Sequence, residues 1–329
     1  MNRKRERRMS FRVFVTRLIP EKGINLLKKF CQTVEINPYD RSLTYDELLH
    51  YVKDSDAILT MLSDVIDARL INEAVKLKVI ANYAVGYDNI DIKTATERGI
   101  FVTNTPGVLT DSTADMAWAL LFSITRRVVE GDKYTRAGKF VGWEPMLLLG
   151  GDLVGKTLGI VGAGRVGTAM AMRSMGWLMK VLYTSRSSRN TVLEESLCAR
   201  RVSLDTLLRE SDFVSIHVPL TGETRHMIGA KELSLMKKTA YLINTARGAV
   251  IDEEALVNAL KNKQIAGAGL DVYEEEPKLK PGMKELDNVV LAPHLGSATI
   301  ETRTRMAVIA AENIISVLKG ERPKNCVNI

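Results

Sequence analysis

The sequence predicts an α/β protein made of two doubly wound parallel sheets. Three observations carry that expectation. Short β-branched runs alternate with helical patterns from Phe11 onward, the alternation restarts after Gly150-Gly151, and 329 residues exceed what one hydrophobic core usually supports.

The first series places strands at Phe11–Val15, Ala57–Thr60, Lys78–Ala81 and Ile100–Thr103. Helical patterns lie between them, the clearest from Tyr45 to Lys53, where Thr44 and Glu47 stand in capping-box spacing. The second series places strands at Thr157–Val161, Val181–Tyr183, Phe213–Ile216, Ala240–Ile243 and Val289–Leu291. These runs are almost wholly apolar, as strands covered on both faces should be. Long helical stretches, Thr113–Arg136 and Ala298–Lys319, flank the second series. They read as connectors, so the C-terminal segment is expected to return and complete the first domain. No internal repeat or low-complexity tract interrupts the pattern.

Composition narrows the class. With 46% hydrophobic and 26% charged residues the chain reads as globular. No apolar run approaches the roughly 20 residues of a membrane span, and the basic start at Met1–Arg8 has no apolar segment behind it, so a cytoplasmic protein is expected with no membrane partner. Cys31, Cys198 and Cys326 lie far apart without metal-ligand spacing, which argues against a disulfide framework or a metal site. The net charge of +7 invites a nucleic-acid reading, yet five basic residues and one acid in Met1–Arg8 supply +4 of it. Residues 1–10 are therefore expected to be a short disordered leader, upstream of a start at Met9, with no nucleic-acid partner.

The chemistry begins at Gly162-Ala163-Gly164-Arg165-Val166-Gly167, which directly follows a predicted strand and opens a helical stretch, Arg165–Met175. In that context Gly162 and Gly164 permit a tight turn and close approach of a pyrophosphate to free N–H groups at a helix start, while Gly167 lets helix and strand pack. A dinucleotide cofactor follows. An NAD site usually carries an acid about 20 residues further on, to bind the ribose hydroxyls. Here the loop reads Ser185-Arg186-Ser187-Ser188-Arg189, with no acid and with groups suited to a 2′-phosphate. NADPH is expected to be preferred, with NADH possible.

Three further blocks stand in order: Asn244-Thr245-Ala246-Arg247-Gly248, Gly269-Leu270-Asp271-Val272-Tyr273-Glu274-Glu275-Glu276-Pro277 and Ala292-Pro293-His294-Leu295-Gly296-Ser297-Ala298. They resemble the signature blocks of the D-isomer-specific 2-hydroxyacid dehydrogenases, and the chain from about Phe11 is similar in detail to their glyoxylate and hydroxypyruvate reductase branch. The resemblance implies a Rossmann cofactor domain (111–296) inserted in a flavodoxin-like substrate domain (11–110 and 297–329). It also implies a catalytic set. Arg247 would bind the substrate carboxylate and polarise the ketone, and His294 would be the general acid of reduction. Glu276, the glutamate directly before proline, would stabilise the imidazolium.

Other contacts follow from the same resemblance. Val218 and Pro219, after His217, would line the cofactor cleft, as would Thr245, Ala246 and Gly296, and Asp271 would bond the nicotinamide carboxamide. Leu62 and Ser63, and the amides of Val85 and Gly86, would meet the substrate across the domain cleft. Val85 is apolar where the phosphite and formate branches carry a polar residue, and no added basic group or C-terminal regulatory domain points to a phosphorylated substrate. Small 2-keto acids remain. Trp143 falls in a stretch resembling a homodimerisation arm, where it either reaches the partner's substrate pocket or packs the interface. His50 and His226 read as structural. The different-class alternative is a nucleotide-sensing, corepressor-like interaction protein; the intact Arg/Glu/His set and the lack of long tails count against it.

Overall fold

The computed structural model describes residues 9–186 and 189–329. They form two compact units, one comprising the described residues up to Leu109 together with Ala298–Ile329, the other Thr110–Ser297.

In the first unit the elements run β1 (Met9–Val15), α1 (Glu21–Phe30), β2 (Cys31–Ile36), α2 (Tyr45–Val52), β3 (Ala57–Thr60), α3 (Ala68–Glu73), β4 (Val79–Asn82), α4 (Ile92–Glu97) and β5 (Phe101–Thr103), with α12 (Ile300–Leu318) added from the C-terminal segment. All pairings are parallel and the order is β2-β1-β3-β4-β5, the flavodoxin-like winding. Side chains of β1 show why both faces must be covered: Val13 and Val15 enter a core with α1 and α12, while Phe14 enters another with α2 and α3. The α1–α12 contact is tight enough that a Cβ on Gly23 would lie 2.5 Å from the Ala307 carbonyl oxygen. Thr44 and Glu47 make the reciprocal capping box that starts α2.

Met9 and Ser10, expected in the leader, belong to β1, with Met9 in register with Cys31 of β2. Residues 1–8 lie outside the described residues.

The second unit runs α5 (Thr110–Thr125), α6 (Val128–Arg136), β6 (Thr157–Val161), α7 (Arg165–Arg173), β7 (Lys180–Thr184), α8 (Thr191–Leu197), β8 (Arg200–Arg201), α9 (Leu204–Glu210), β9 (Phe213–Ile216), α10 (Ala230–Leu235), β10 (Tyr241–Asn244), α11 (Glu253–Lys261), β11 (Gly267–Leu270) and β12 (Val289–Leu291). Its seven parallel strands are ordered β12-β11-β10-β9-β6-β7-β8, so winding reverses between β6 and β9. That reversal is the Rossmann switch point, outside whose strand ends ligands bind. The single helix expected over Thr113–Arg136 is two helices, broken where Arg127 adopts a left-handed φ of 53° and its guanidinium turns back to Glu130 at 2.7 and 2.8 Å. Among the described residues no helix is long and apolar enough to cross a membrane.

Candidate active site

The glycine-rich turn sits at the end of β6, beside the switch point, and its three glycines are needed for three different reasons. Gly162 has φ +98°, and a Cβ there would meet Val218 and the His217 backbone at 2.7–2.9 Å. Gly167 lies under the turn, where a Cβ would fall 2.1 Å from the Gly162 carbonyl oxygen. Gly164 is the opposite case. Nothing lies within 4 Å of the place a Cβ would take, and it starts α7 without a side-chain cap. The start of α7 is therefore uncapped and has open space at Gly164, with the positive end of the helix behind it. Asn190 pins the turn by donating to the Ala163 carbonyl at 3.0 Å and to Thr168 Oγ1 at 2.7 Å. Its side chain also caps α8, accepting from the Leu193 amide.

In the acid-free loop after β7, Arg186 pairs with Glu223 at 2.9 Å and Arg189 with Glu194 at 2.5 Å. The Ser185 carbonyl accepts from Arg201 at 2.8 Å. Ser187 and Ser188, also expected at the cofactor, lie outside the described residues.

Val218 and Pro219 follow β9, as Thr245 and Ala246 follow β10. Two sealed polar atoms there, His217 Nδ1 and Thr245 Oγ1, have no partner within the described protein. Orphaned polar atoms beside an uncapped helix start and an open glycine fit a dinucleotide well.

His217 keeps some accessible surface, but burial of its ring pushes the imidazole down to about 3, and Nε2 bonds Ser215 Oγ at 2.8 Å. An unfolded histidine titrates near 6.5, so between pH 6.5 and 3 the unfolded chain binds the extra proton. The stability this neutral ring contributes is present above pH 6.5 and is lost as pH falls, at no more than about 1.4 kcal/mol per pH unit. His217→Gln is accordingly expected to flatten the acid limb of urea stability between pH 6.5 and 4; an unchanged slope would contradict the assignment.

The three signature residues come from three adjacent strand ends. Arg247 precedes a 3-10 turn, Gly248–Val250, after β10. Its backbone carbonyl accepts from Asn244 Nδ2 and its guanidinium donates to the Ala246 carbonyl, both at 2.9 Å. Gly248 is pressed against the second block, since a Cβ would lie 1.8 Å from the Tyr273 carbonyl carbon. In that block Glu276 accepts from the Tyr273 amide at 3.0 Å, and its other oxygen is 2.9 Å from His294 Nδ1. Partial burial is the largest influence on the Glu276 carboxyl and works upward. The His294 hydrogen bond and charge, the Tyr273 amide and the Arg247 guanidinium outweigh it, holding the group below the usual carboxylate range. Arg247, Glu276 and His294 thus converge on one carboxylate.

His294 is held in the left-handed region at φ 56°, a conformation that costs a non-glycine residue about 1–3 kcal/mol and needs support from its surroundings. Asp271 provides it. Its backbone carbonyl accepts the His294 amide at 2.9 Å, and its buried carboxylate accepts the Leu295 and Gly296 amides at 2.6 and 2.7 Å. Burial still raises the Asp271 carboxyl, with the two amides working against that rise. The sequence reading assigns Asp271 to the cofactor and misses this clamp, which no local pattern of residues signals.

In the first unit Leu62 and Ser63 follow β3, and Val85 and Gly86 follow β4. Asn82 and Asn104 donate to the Gly86 and Val85 carbonyls at 2.6 and 2.8 Å, while Asn89 donates to Met61 and Asp64. Among the described residues, no hydrogen bond uses the amides of Val85 or Gly86. The sequence reading misses these asparagines, whose side chains hold the carbonyls of two loops and so fix the direction of their amides. Trp143 is 83% exposed, in an irregular stretch with Val141 and Met146 at 88% and 76%. Among the described residues no acidic, histidine or cysteine cluster suited to a metal ion occurs.

Comparison with known proteins agrees with this construction. The family model for the NAD binding domain of D-isomer specific 2-hydroxyacid dehydrogenases matches residues 118–296. A glyoxylate reductase of Thermococcus litoralis is 55% identical over 324 residues, covering 97% of each chain. Among solved structures, a protein of Thermus thermophilus has a TM-score of 0.89 at 45% identity, covering 96% of this chain and 99% of its own. An NADPH-dependent glyoxylate/hydroxypyruvate reductase of Sinorhizobium meliloti, solved with NADP and malonate, has a TM-score of 0.83 at 31% identity, covering 97% of both chains. With the signature residues gathered on a Rossmann sheet and full-length relatives on that scale, the chain belongs to the D-isomer specific 2-hydroxyacid dehydrogenases, nicotinamide-dependent oxidoreductases.

Proposed function

We propose that this enzyme reduces a small, unphosphorylated 2-keto acid, glyoxylate or hydroxypyruvate, to the 2-hydroxy acid and prefers NADPH to NADH. The observation that carries the reading is the Glu276–His294 pair at 2.9 Å with the Arg247 guanidinium acting on the same carboxylate. Arg247 grips the substrate carboxylate and polarises the ketone. Glu276 occupies His294 Nδ1, so Nε2 is the nitrogen left to pass a proton to the ketone oxygen, and the carboxylate stabilises the ring while it is charged. Bound NADPH supplies the hydride. Val85 and Gly86 offer their free amides to the substrate carboxylate, beside Leu62 and Ser63. The glyoxylate reductases that this chain resembles support the substrate class.

On the cofactor side, the amides of Arg165, Val166 and Gly167 receive the pyrophosphate, with Gly162 and Gly164 giving it room. Val218, Pro219, Thr245, Ala246, Asp271 and Gly296 line the remainder. Ser185, Arg186 and Arg189 take the 2′-phosphate. The ion pairs these arginines now make do not oppose that role. Both guanidiniums are at least three-quarters exposed, and the Arg186–Glu223 pair, exposed on both sides, contributes only about 0–1 kcal/mol, less than charge-assisted bonds to a phosphate.

A panel of small keto acids assayed with NADPH and NADH tests the proposal. NADPH is expected to give the higher kcat/KM. Replacing Arg186 and Arg189 together by alanine should lower that value roughly ten- to a hundredfold and leave the NADH value nearly unchanged. Higher kcat/KM with NADH throughout would refute the phosphate site, and any keto-acid-dependent NADPH oxidation excludes the corepressor-like alternative. The exposed Phe140, Val141, Trp143, Met146 and Leu149 support a homodimer formed through this arm, checked by sedimentation equilibrium.

A further inference from the structure

Behind the signature residues lies a second set of ionisable side chains that the proposed chemistry does not use. Glu253, the first residue of α11, is 2% exposed, and its Oε1 accepts the Glu274 amide at 2.8 Å. The Glu274 side chain in turn meets His226 Nε2 at 2.7 Å, with Lys280 Nζ 3.6 Å from its other oxygen. His226 is anchored on the far side, because its backbone amide donates to the Ala249 carbonyl at 2.8 Å. Ala249 belongs to the turn that Arg247 begins, and Glu274 lies two residues before Glu276. The backbone contact at Gly248 brings the same two segments together.

A buried carboxylate is a costly way to hold one amide. Glu253 Oε2 is sealed with no partner, and burial, together with the neighbouring Glu274 charge, pushes its carboxyl up. An apolar residue would serve the core of α11 at lower cost, so the position is explained by what Glu253 holds rather than by packing. Glu274 is held at its backbone by Glu253 and at its side chain by His226. Tyr273, immediately before it, supplies the amide that fixes Glu276 Oε1. A shift of Glu274 would move that amide, the Glu276 carboxylate and, through it, the His294 ring.

We propose that His226, Glu274 and Glu253 are positioning residues that lock the Glu276-bearing loop against the Arg247-bearing turn. The inference rests on the roles proposed above for Arg247, Glu276 and His294. Its consequence is that geometry at His294 is set by groups outside the set to which the reaction is assigned above.

The test uses full-length protein with ring-15N-labelled histidine. Glu253→Ala is expected to lower kcat about ten- to a hundredfold, the scale of a small misplacement of reacting groups, with NADPH Kd from fluorescence titration changed less than about twofold. Its His294 ring 15N signals should move toward those of Glu276→Gln. Glu253→Gln, which keeps an acceptor oxygen for the Glu274 amide, should return those signals to their wild-type positions. If Glu253→Ala does not fold, His226→Phe carries the same measurement, with His226→Gln as its rescue. Wild-type kcat and wild-type His294 signals in the folded bracket variants would overturn the proposal while leaving the Glu276–His294 reading intact, provided that Glu276→Gln shifts those signals. If Glu276→Gln leaves them unmoved, the pairing itself fails and the bracket with it.

Discussion

His294→Gln is expected to lower kcat/KM for 2-keto acid reduction by roughly 10²–10⁴-fold, the range a positioned general acid contributes, while NADPH binding stays close to wild type. The glutamine keeps a polar side chain near Glu276 but has no proton to give at neutral pH. Arg247→Ala should be comparably severe for a different reason. On the role proposed above it removes the cation that orients the substrate carboxylate, and loss of one partner of a desolvated charge pair costs about 2–5 kcal/mol. KM is then expected to rise as well as kcat to fall. Arg247→Lys separates the two contributions, since it preserves charge and forfeits the bidentate fork. Partial recovery of KM with little recovery of kcat is the expected pattern. Stopped-flow and steady-state kinetics on purified, folded variants decide it. Loss of NADPH binding in either His294→Gln or Arg247→Ala would mean that the residue belongs to the cofactor site or the fold, not to the substrate.

What the sequence discloses of each element depends on what its residues pack against. β3, β6 and β9 are apolar runs whose limits in the structure coincide with those read from the residues, because strands covered on both faces leave little choice of side chain. β11 is invisible in the sequence for a related reason. It reads Gly-Ala-Gly-Leu, and the glycines are required by α5, whose Ile124 and Leu120 would lie 3.0 and 2.9 Å from a Cβ on Gly267 and Gly269. Close helix–sheet packing has removed the β-branched signal that marks a strand. β2 and β8 escape notice as sheet edges, partly polar or only two residues long. At the site, Arg247, Glu276 and His294 stand out through the signature blocks that carry them, and the structure brings all three to one carboxylate. The Asp271 clamp, the Asn190 pin and the bracket through Glu253 do not stand out, because each depends on loops far apart in sequence meeting at hydrogen-bond distance.

The glycines of the site give opposite expected outcomes on the same Gly→Ala change. At Gly164 nothing lies within 4 Å of a new Cβ, and φ is an ordinary −77°. Gly164→Ala should therefore fold with stability within about 1 kcal/mol of wild type, the cost of alanine at a helix start. Its methyl would occupy the space proposed above for the pyrophosphate, so NADPH affinity should fall at least about tenfold, or 1.4 kcal/mol. At Gly248 the methyl would collide with the Tyr273 and Glu274 backbone at 1.8–2.3 Å, and no flexible side-chain end is there to yield. Gly248→Ala is expected to destabilise the second unit by about 3 kcal/mol, the upper range for overpacking, and to lower its Tm by roughly 6–12 °C. The surviving folded fraction should bind NADPH but turn over poorly, because the clash separates the Arg247 turn from the loop that holds Glu276. Paired thermal melts and fluorescence titrations on the two variants distinguish the cases. Equal loss of Tm in both would mean that Gly164 serves the fold, and equal loss of NADPH affinity would mean that the turn at Gly248 belongs to the cofactor.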